Sequence, residues 1–166
     1  MSKQPNLIIE PLRKNHNRVA FSCGTDELDN YFRRQASQDT KRRIARIFVV
    51  RSESDDEAVL GFYTLSALSI DLSVLPSDLA KKLPKHPIPA ALIGRLAVSS
   101  ESQSTGIGKI LLADAIQRTL AVSDEIAVYA MVVDALNSEA EGFYMSFGFT
   151  KLSSDTNRLF LPLKSF

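Results

Sequence analysis

The stretch Gln103-Ser104-Thr105-Gly106-Ile107-Gly108-Lys109 follows the apolar run Ile93-Gly94-Arg95-Leu96-Ala97-Val98 and opens into Ile107, Ile110, Leu111 and Ala115, an apolar set at helical spacing. A strand, a glycine-bearing turn and a helix in that order aim several unpaired backbone N–H groups in one direction, at the positive end of a helix dipole. Such a turn can seat a phosphate or pyrophosphate. Gly106 and Gly108 let the backbone approach an anion where a Cβ would stand in the way. The chemistry first expected is therefore the binding of a phosphorylated ligand.

The remaining chemistry-bearing residues are few. His16 and His86 lie far apart and Cys23 is the single cysteine, so no zinc cluster and no internal disulfide is expected, in keeping with a reducing cytoplasm. Cys23 reads as a small buried residue rather than a nucleophile, because no histidine partner is evident. Net charge is +1, which excludes a uniformly basic nucleic-acid binder, but the basic residues are grouped. Arg33, Arg34, Lys41, Arg42, Arg43 and Arg46 face one acid, Asp39, and a smaller group is Lys81, Lys82 and Lys85. Each group is either a solvated face or a place for local phosphate contacts. Glu53, Asp55, Asp56 and Glu57 gather in one loop.

These residues must be positioned by a modest set of elements. A length of 166 residues suits one domain over 1–166 with its own core. Met1 to Pro11 lacks the pattern of a secretion signal, and no apolar run reaches the roughly 20 residues that span a bilayer. Thr25 is placed to cap a helix from Asp26 to about Asp39, with Leu28, Tyr31, Phe32, Gln35 and Ala36 on one face. Ile44–Val50 and Ala58 to about Leu68 read as an antiparallel hairpin around Ser52–Glu57. Pro76 starts a short helix ending before Pro84, and Pro84, Pro87 and Pro89 mark an extended loop. Leu92–Val98 is a strand, Gly106–Ala121 a helix, and Ile126–Val133 a central strand covered on both faces. Asn137 or Ser138 caps a helix to about Ser146, Gly148 breaks it, and Arg158–Leu163 is a last strand. The pattern is α/β, with one mixed sheet.

The order Gln103-x-x-Gly106-x-Gly108, then Asn137, then Phe143-Tyr144-x-x-x-Gly148-Phe149 resembles the GNAT acetyltransferases over Ile93 to Phe149. The resemblance implies a mostly antiparallel sheet with splayed central parallel strands, flanked by about four helices. It implies acetyl-CoA as co-substrate and no metal. The pyrophosphate would rest on the backbone of Gln103, Ser104, Thr105, Gly106, Ile107, Gly108 and Lys109, and the pantetheine would pair with Leu96, Ala97 and Val98. Asn137 and Phe143 complete the implied cofactor set, and Tyr144 matches the tyrosine that serves the superfamily as general acid. Local sequence alone reads Asn137 as a helix cap and Tyr144 as core packing.

The segments Phe21-Ser-Cys-Gly-Thr-Asp-Glu-Leu-Asp-Asn-Tyr-Phe, Gly61-Phe-Tyr-Thr-Leu-Ser, Leu79-Ala-Lys-Lys-Leu-Pro, Gly94-Arg-Leu-Ala-Val and Leu159-Phe-Leu-Pro-Leu are similar to the GNAT toxins of bacterial type II toxin–antitoxin pairs. That branch implies acetylation of the α-amine of aminoacyl-tRNA, which blocks translation; the alternatives left open are acetylation of a small amine or a protein N-terminus, and a non-catalytic scaffold that binds CoA or a repressor partner. It also implies a ribbon-helix-helix antitoxin, DNA contact and operon repression only through the antitoxin complex, and a cytoplasmic homodimer. Arg95 then reads either as a salt-bridged strand arginine or as a contact to a phosphate at the tRNA acceptor end. Arg42, Arg43, Lys81 and Lys82 are the other expected tRNA contacts. No His, Glu or Asp stands out as a general base, and Glu101 reads as an exposed loop acid. An α-amine, with a reference pKa of about 7.7–8.0, is appreciably neutral at pH 7 where a lysine amine is not. An α-amino acceptor therefore makes the smaller demand on a base.

Overall fold

The computed structural model describes residues 6–84, 87–153 and 155–165. Seven strands form one mixed sheet in the order β1-β2-β3-β4-β5-β7-β6. They are β1 (Leu7–Pro11), β2 (Arg46–Ser52), β3 (Gly61–Ile70), β4 (Ile88–Val98), β5 (Ala130–Asp134), β6 (Thr150–Lys151) and β7 (Arg158–Pro162). The β4/β5 pair is parallel, whereas β1/β2, β2/β3, β5/β7 and β6/β7 are antiparallel. The helices are α1 (Asp26–Asn30), α2 (Ala36–Lys41), α3 (Ser77–Ala80), α4 (Ile107–Val122) and α5 (Ser138–Met145). A π-helical turn, Tyr31–Gln35, joins α1 to α2 without a break.

The chain divides into two compact units, one built from the chain up to Leu65 with Arg95–Ala115, the other from Ser66–Gly94 with the chain from Ile116 onward. In the first, Phe21, Phe32 and Phe62 form an aromatic cluster, with Phe32 and Phe62 stacked at 4.3 Å between centroids. Val49, Ile47 and Ala36 close around it. In the second, Ile70, Leu75 and Ile88 pack with Val132, Leu152 and Phe160. Gly61 is fixed by close approach: a Cβ there would meet the Ala97 carbonyl oxygen at 2.8 Å.

Several boundaries differ from the sequence reading, each for a local reason. The first helix is not a plain α-helix, because the Ala36 N–H reaches back to the Tyr31 carbonyl and closes a wider turn. Thr25 stands at the N-cap without a side-chain cap bond; the Asp29 N–H bonds its carbonyl instead, while the Asp29 carboxylate accepts from the Cys23 N–H at 2.9 Å. Ile44 belongs to the end of this helix rather than to β2. Arg43 sits at φ +58°, and Ile44 and Arg43 donate to the carbonyls of Asp39 and Thr40, a Schellman motif with arginine where glycine is usual. Pro89 lies inside β4, not in a loop. Tyr129 already donates to the Pro89 carbonyl, but the ladder of β5 begins only at Ala130, and Ile126 is exposed.

Candidate active site

Between β4 and α4 the chain turns through two left-handed residues, Ser104 at φ +66° and Gly106 at φ +89°. The first α4 bond runs from the Ile110 N–H to the Gly106 carbonyl, so the N–H groups of Ile107, Gly108 and Lys109 have no acceptor within the helix. A Cβ built on Gly106 would meet nothing within 4 Å. Glycine is therefore needed here for its backbone conformation, and the space beside the turn is open. Alternating left-handed residues and a helix start make a concave set of donors suited to a pyrophosphate.

Gln103 holds this turn in place. Its amide nitrogen donates to the Cys23 carbonyl at 2.7 Å and to the Val98 carbonyl at 3.1 Å. Its side chain is thus spent on the fold, leaving its backbone for a ligand. The Thr105 hydroxyl is likewise committed, donating to the Ser102 carbonyl. Cys23 is buried, and burial together with the neighbouring Asp29 carboxylate pushes its thiol up to about 11. It is an unreactive thiol at neutral pH.

The register of β4 with β5 ends at Ile93 opposite Val133, whereas β4 runs on through Leu96, Ala97 and Val98. This stretch runs on beyond the parallel ladder. Arg95 lies within it. Its N–H donates to the Thr64 hydroxyl at 3.0 Å, and its guanidinium carbon lies 3.6 Å from the centre of the Tyr31 ring. Among the described residues Arg95 makes no ion pair, so the salt-bridged reading does not hold.

In the second unit, Asn137 is the helix cap: its Oδ1 accepts from the Ala140 N–H at 2.9 Å, which leaves its Nδ2 as a donor. Phe143 and Phe149 meet the Tyr144 ring edge-on at 5.3 and 5.8 Å. Tyr144 is 6% exposed, and burial holds its phenol well above the usual tyrosine range, so it keeps its proton throughout neutral pH. The described residues give its hydroxyl no hydrogen-bond partner. The ring is thus core packing while the Oη is available as a donor. Nearby in sequence, Asp134 and Arg158 form a two-pronged pair at 2.7 and 3.0 Å that pins β5 to β7 and cancels both charges.

Of the expected RNA contacts, Arg42 and Arg43 are exposed at the end of α2, and Lys81 and Lys82 are exposed just after α3. Arg33 is not free, since it donates to the Phe21 carbonyl at 2.6 Å. Lys85 and His86 lie outside the described residues. The sequence reading placed Tyr31 among core residues and missed its place beneath Arg95. In a regular α-helix positions 31 and 39 differ by about 80° in direction, and the π turn, which takes in about one residue more, brings them closer in phase.

The glycine turn at the start of α4 presents backbone donors of the kind that bind a phosphorylated ligand. Residues 89–163 match the model of the acetyltransferase (GNAT) domain. The Probable toxin TacT of Sinorhizobium fredii is 34% identical over 165 residues, covering 94% of this chain and 91% of that protein. A tRNA-acetylating toxin of Mycobacterium tuberculosis is 36% identical over 146 residues, covering 88% and 86%. Among solved structures, a tyrosine-to-phenylalanine variant of KacT superposes with a TM-score of 0.91 at 29% identity, covering 98% of this chain and 97% of that one. AtaT complexed with acetyl-methionyl-tRNAfMet gives 0.89 at 30% identity, covering 96% of each. An AtaT variant bound to acetyl-CoA and the C-terminus of its antitoxin AtaR gives 0.81 at 28%, covering 96% and 95%. A KacTA–DNA complex gives 0.81 at 27%, covering 96% and 95%. The chain belongs to the GNAT acetyltransferases, acetyl-CoA-dependent N-acetyltransferases, and its close homologues are the tRNA-acetylating toxins of toxin–antitoxin systems.

Proposed function

We propose that this chain is a toxin that moves an acetyl group from acetyl-CoA to the α-amine of an amino acid already charged onto tRNA, and so blocks translation. The observation that carries this reading is the likeness, over nearly the whole chain, to AtaT solved with acetyl-methionyl-tRNAfMet. The donor supplies a thioester-activated acetyl group. The backbone from Gln103 to Lys109 would hold its pyrophosphate and Leu96 to Val98 its pantetheine, with Asn137 and Phe143 as further cofactor contacts. Tyr144 acts as general acid, holding a proton on Oη for the departing sulfur. The acceptor amine needs only to shed a proton with a pKa near 8, roughly that of a free α-amine, which makes a small demand on a base. Arg95, Arg42, Arg43, Lys81 and Lys82 would contact the tRNA.

The single domain over 1–166 would act in the cytoplasm as a homodimer, held in check by a ribbon-helix-helix antitoxin. DNA would be contacted only through that complex, which represses the operon. The solved complexes of AtaT with its antitoxin and of KacTA with DNA support an antitoxin partner and a DNA contact of this kind. Expression without an antitoxin is expected to arrest growth, and Tyr144→Phe to restore it. Growth curves under inducible expression test this, and equal toxicity of both forms would place the cause outside acetyl transfer.

A further inference from the structure

Arg95 carries five N–H donors and is half-buried. Among the described residues its guanidinium has neither an ion pair nor a side-chain hydrogen bond. It has instead a platform, the face of Tyr31, at 3.6 Å. Beneath that platform the Tyr31 hydroxyl donates to Asp39 Oδ2 at 2.7 Å, and Gln35 Nε2 donates to Asp39 Oδ1 at 3.1 Å. Asp39 is 7% exposed and has no cation against it among the described residues. A buried carboxylate in that state is costly unless its charge is answered nearby. Tyr31 touches both groups: its hydroxyl bonds the carboxylate and its ring face carries the guanidinium. The donated hydrogen bond enriches the ring in electron density, and the ring attracts the cation on its face.

The helix is built to allow this. Two α-turns take about 7.2 residues, so residues eight apart are out of phase by most of a residue step. The π turn Tyr31–Gln35 takes in about one residue more, which brings Tyr31 and Asp39 into line. The Arg95 backbone is pinned from the other side by the Thr64 hydroxyl, itself buried. A stacked guanidinium has its face occupied and its edges free, the arrangement that takes two oxygens of a phosphate in plane.

We propose that Tyr31 and Asp39, brought into line by the π turn, are positioning residues that hold Arg95 as a fixed fork for a backbone phosphate of the tRNA. This rests on the reading of tRNA as the acceptor's carrier. The probe is fluorescently labelled, deacylated tRNA, titrated by anisotropy over a salt series, with acetyl-CoA affinity measured beside it. Arg95→Ala and Tyr31→Leu are each expected to weaken tRNA binding about tenfold and to lower the slope of log affinity against log salt by about 0.7–0.9, one phosphate contact. The double variant should bind no more weakly than Arg95→Ala alone, because the two residues act as one unit. Tyr31→Phe and Asp39→Asn, which keep the packing, should each lose about threefold, and they carry the test if Tyr31→Leu fails to fold. Acetyl-CoA affinity should not move in any of them.

The proposal is overturned if Tyr31→Leu, Tyr31→Phe and Asp39→Asn all bind tRNA like the parent, if the Arg95 and Tyr31 losses multiply, or if Arg95→Lys matches the parent. It is also overturned if acetyl-CoA affinity falls together with tRNA affinity. A parent protein that binds tRNA with these variant effects but yields no N-acetyl-aminoacyl product sinks the proposed reaction and leaves the fork standing. A parent that acetylates charged tRNA with no response to the Tyr31 and Asp39 variants sinks the fork alone.

Discussion

Tyr144 combines two properties that a lone aromatic rarely joins: a ring packed on Phe143 and Phe149, and a hydroxyl with no hydrogen-bond partner among the described residues. Tyr144→Phe removes only the oxygen, so the packing and the donor seat should survive. Turnover is expected to fall on the order of 10²–10⁴-fold, the usual range for a lost general acid, with acetyl-CoA affinity unchanged by calorimetry. The pH profile follows from the direction of the tyrosine's shift. Burial raises it, so the protonated, competent form persists to beyond the ordinary value near 10. The acceptor amine works in the opposite sense and becomes competent as pH rises through roughly 7.7–8.0. The rate on charged tRNA should therefore climb from pH 6 and level off by about pH 9, with no descending limb in that range. Initial rates across that range check it, and a fall above about pH 8 would contradict it. At this scale the sequence was informative where a residue's role is local: Asn137 caps its helix, and Cys23 is a small buried residue. It was silent on partners far along the chain, such as the Tyr31 ring on which Arg95 stacks.

The elements that position these residues were legible wherever hydrophobic period and punctuation agreed. The hairpin of β2 and β3, α4 after its glycine turn, and α5 between Asn137 and Gly148 all follow the sequence reading within a few residues. The π turn was not legible, because its signature is a single residue's worth of phase within an otherwise helical stretch. Nor was the end of that helix, where Arg43 takes a left-handed conformation that favours glycine. An arginine kept there at a cost of roughly 1 kcal/mol fits a residue retained for its charge. Arg43→Gly should accordingly raise the melting temperature by a few degrees, while lowering tRNA affinity and its salt slope. Thermal melts and the tRNA titration measure the two halves. A lower melting temperature would show that the arginine supports the fold instead.

For the molecule as a whole, a net charge of +1 hides an uneven distribution, with Arg34, Lys41, Arg42, Arg43 and Arg46 all exposed in one short stretch. Charge gathered in this way can guide a polyanion locally without making the protein a general nucleic-acid binder. The glycine turn points by its local chemistry to a phosphorylated ligand, whereas the family and the acetyl donor are legible through the resemblance that this turn carries together with Asn137 and the Phe-Tyr…Gly-Phe segment. The acceptor is less so, since selectivity depends on the shape made by loops that share no motif. The direct test is to incubate the purified protein with acetyl-CoA and a full set of charged tRNAs, release the amino acids and weigh them. One or more should carry an added acetyl group on the α-nitrogen, and Tyr144→Phe should all but abolish it. Unmodified amino acids from every tRNA would contradict the account.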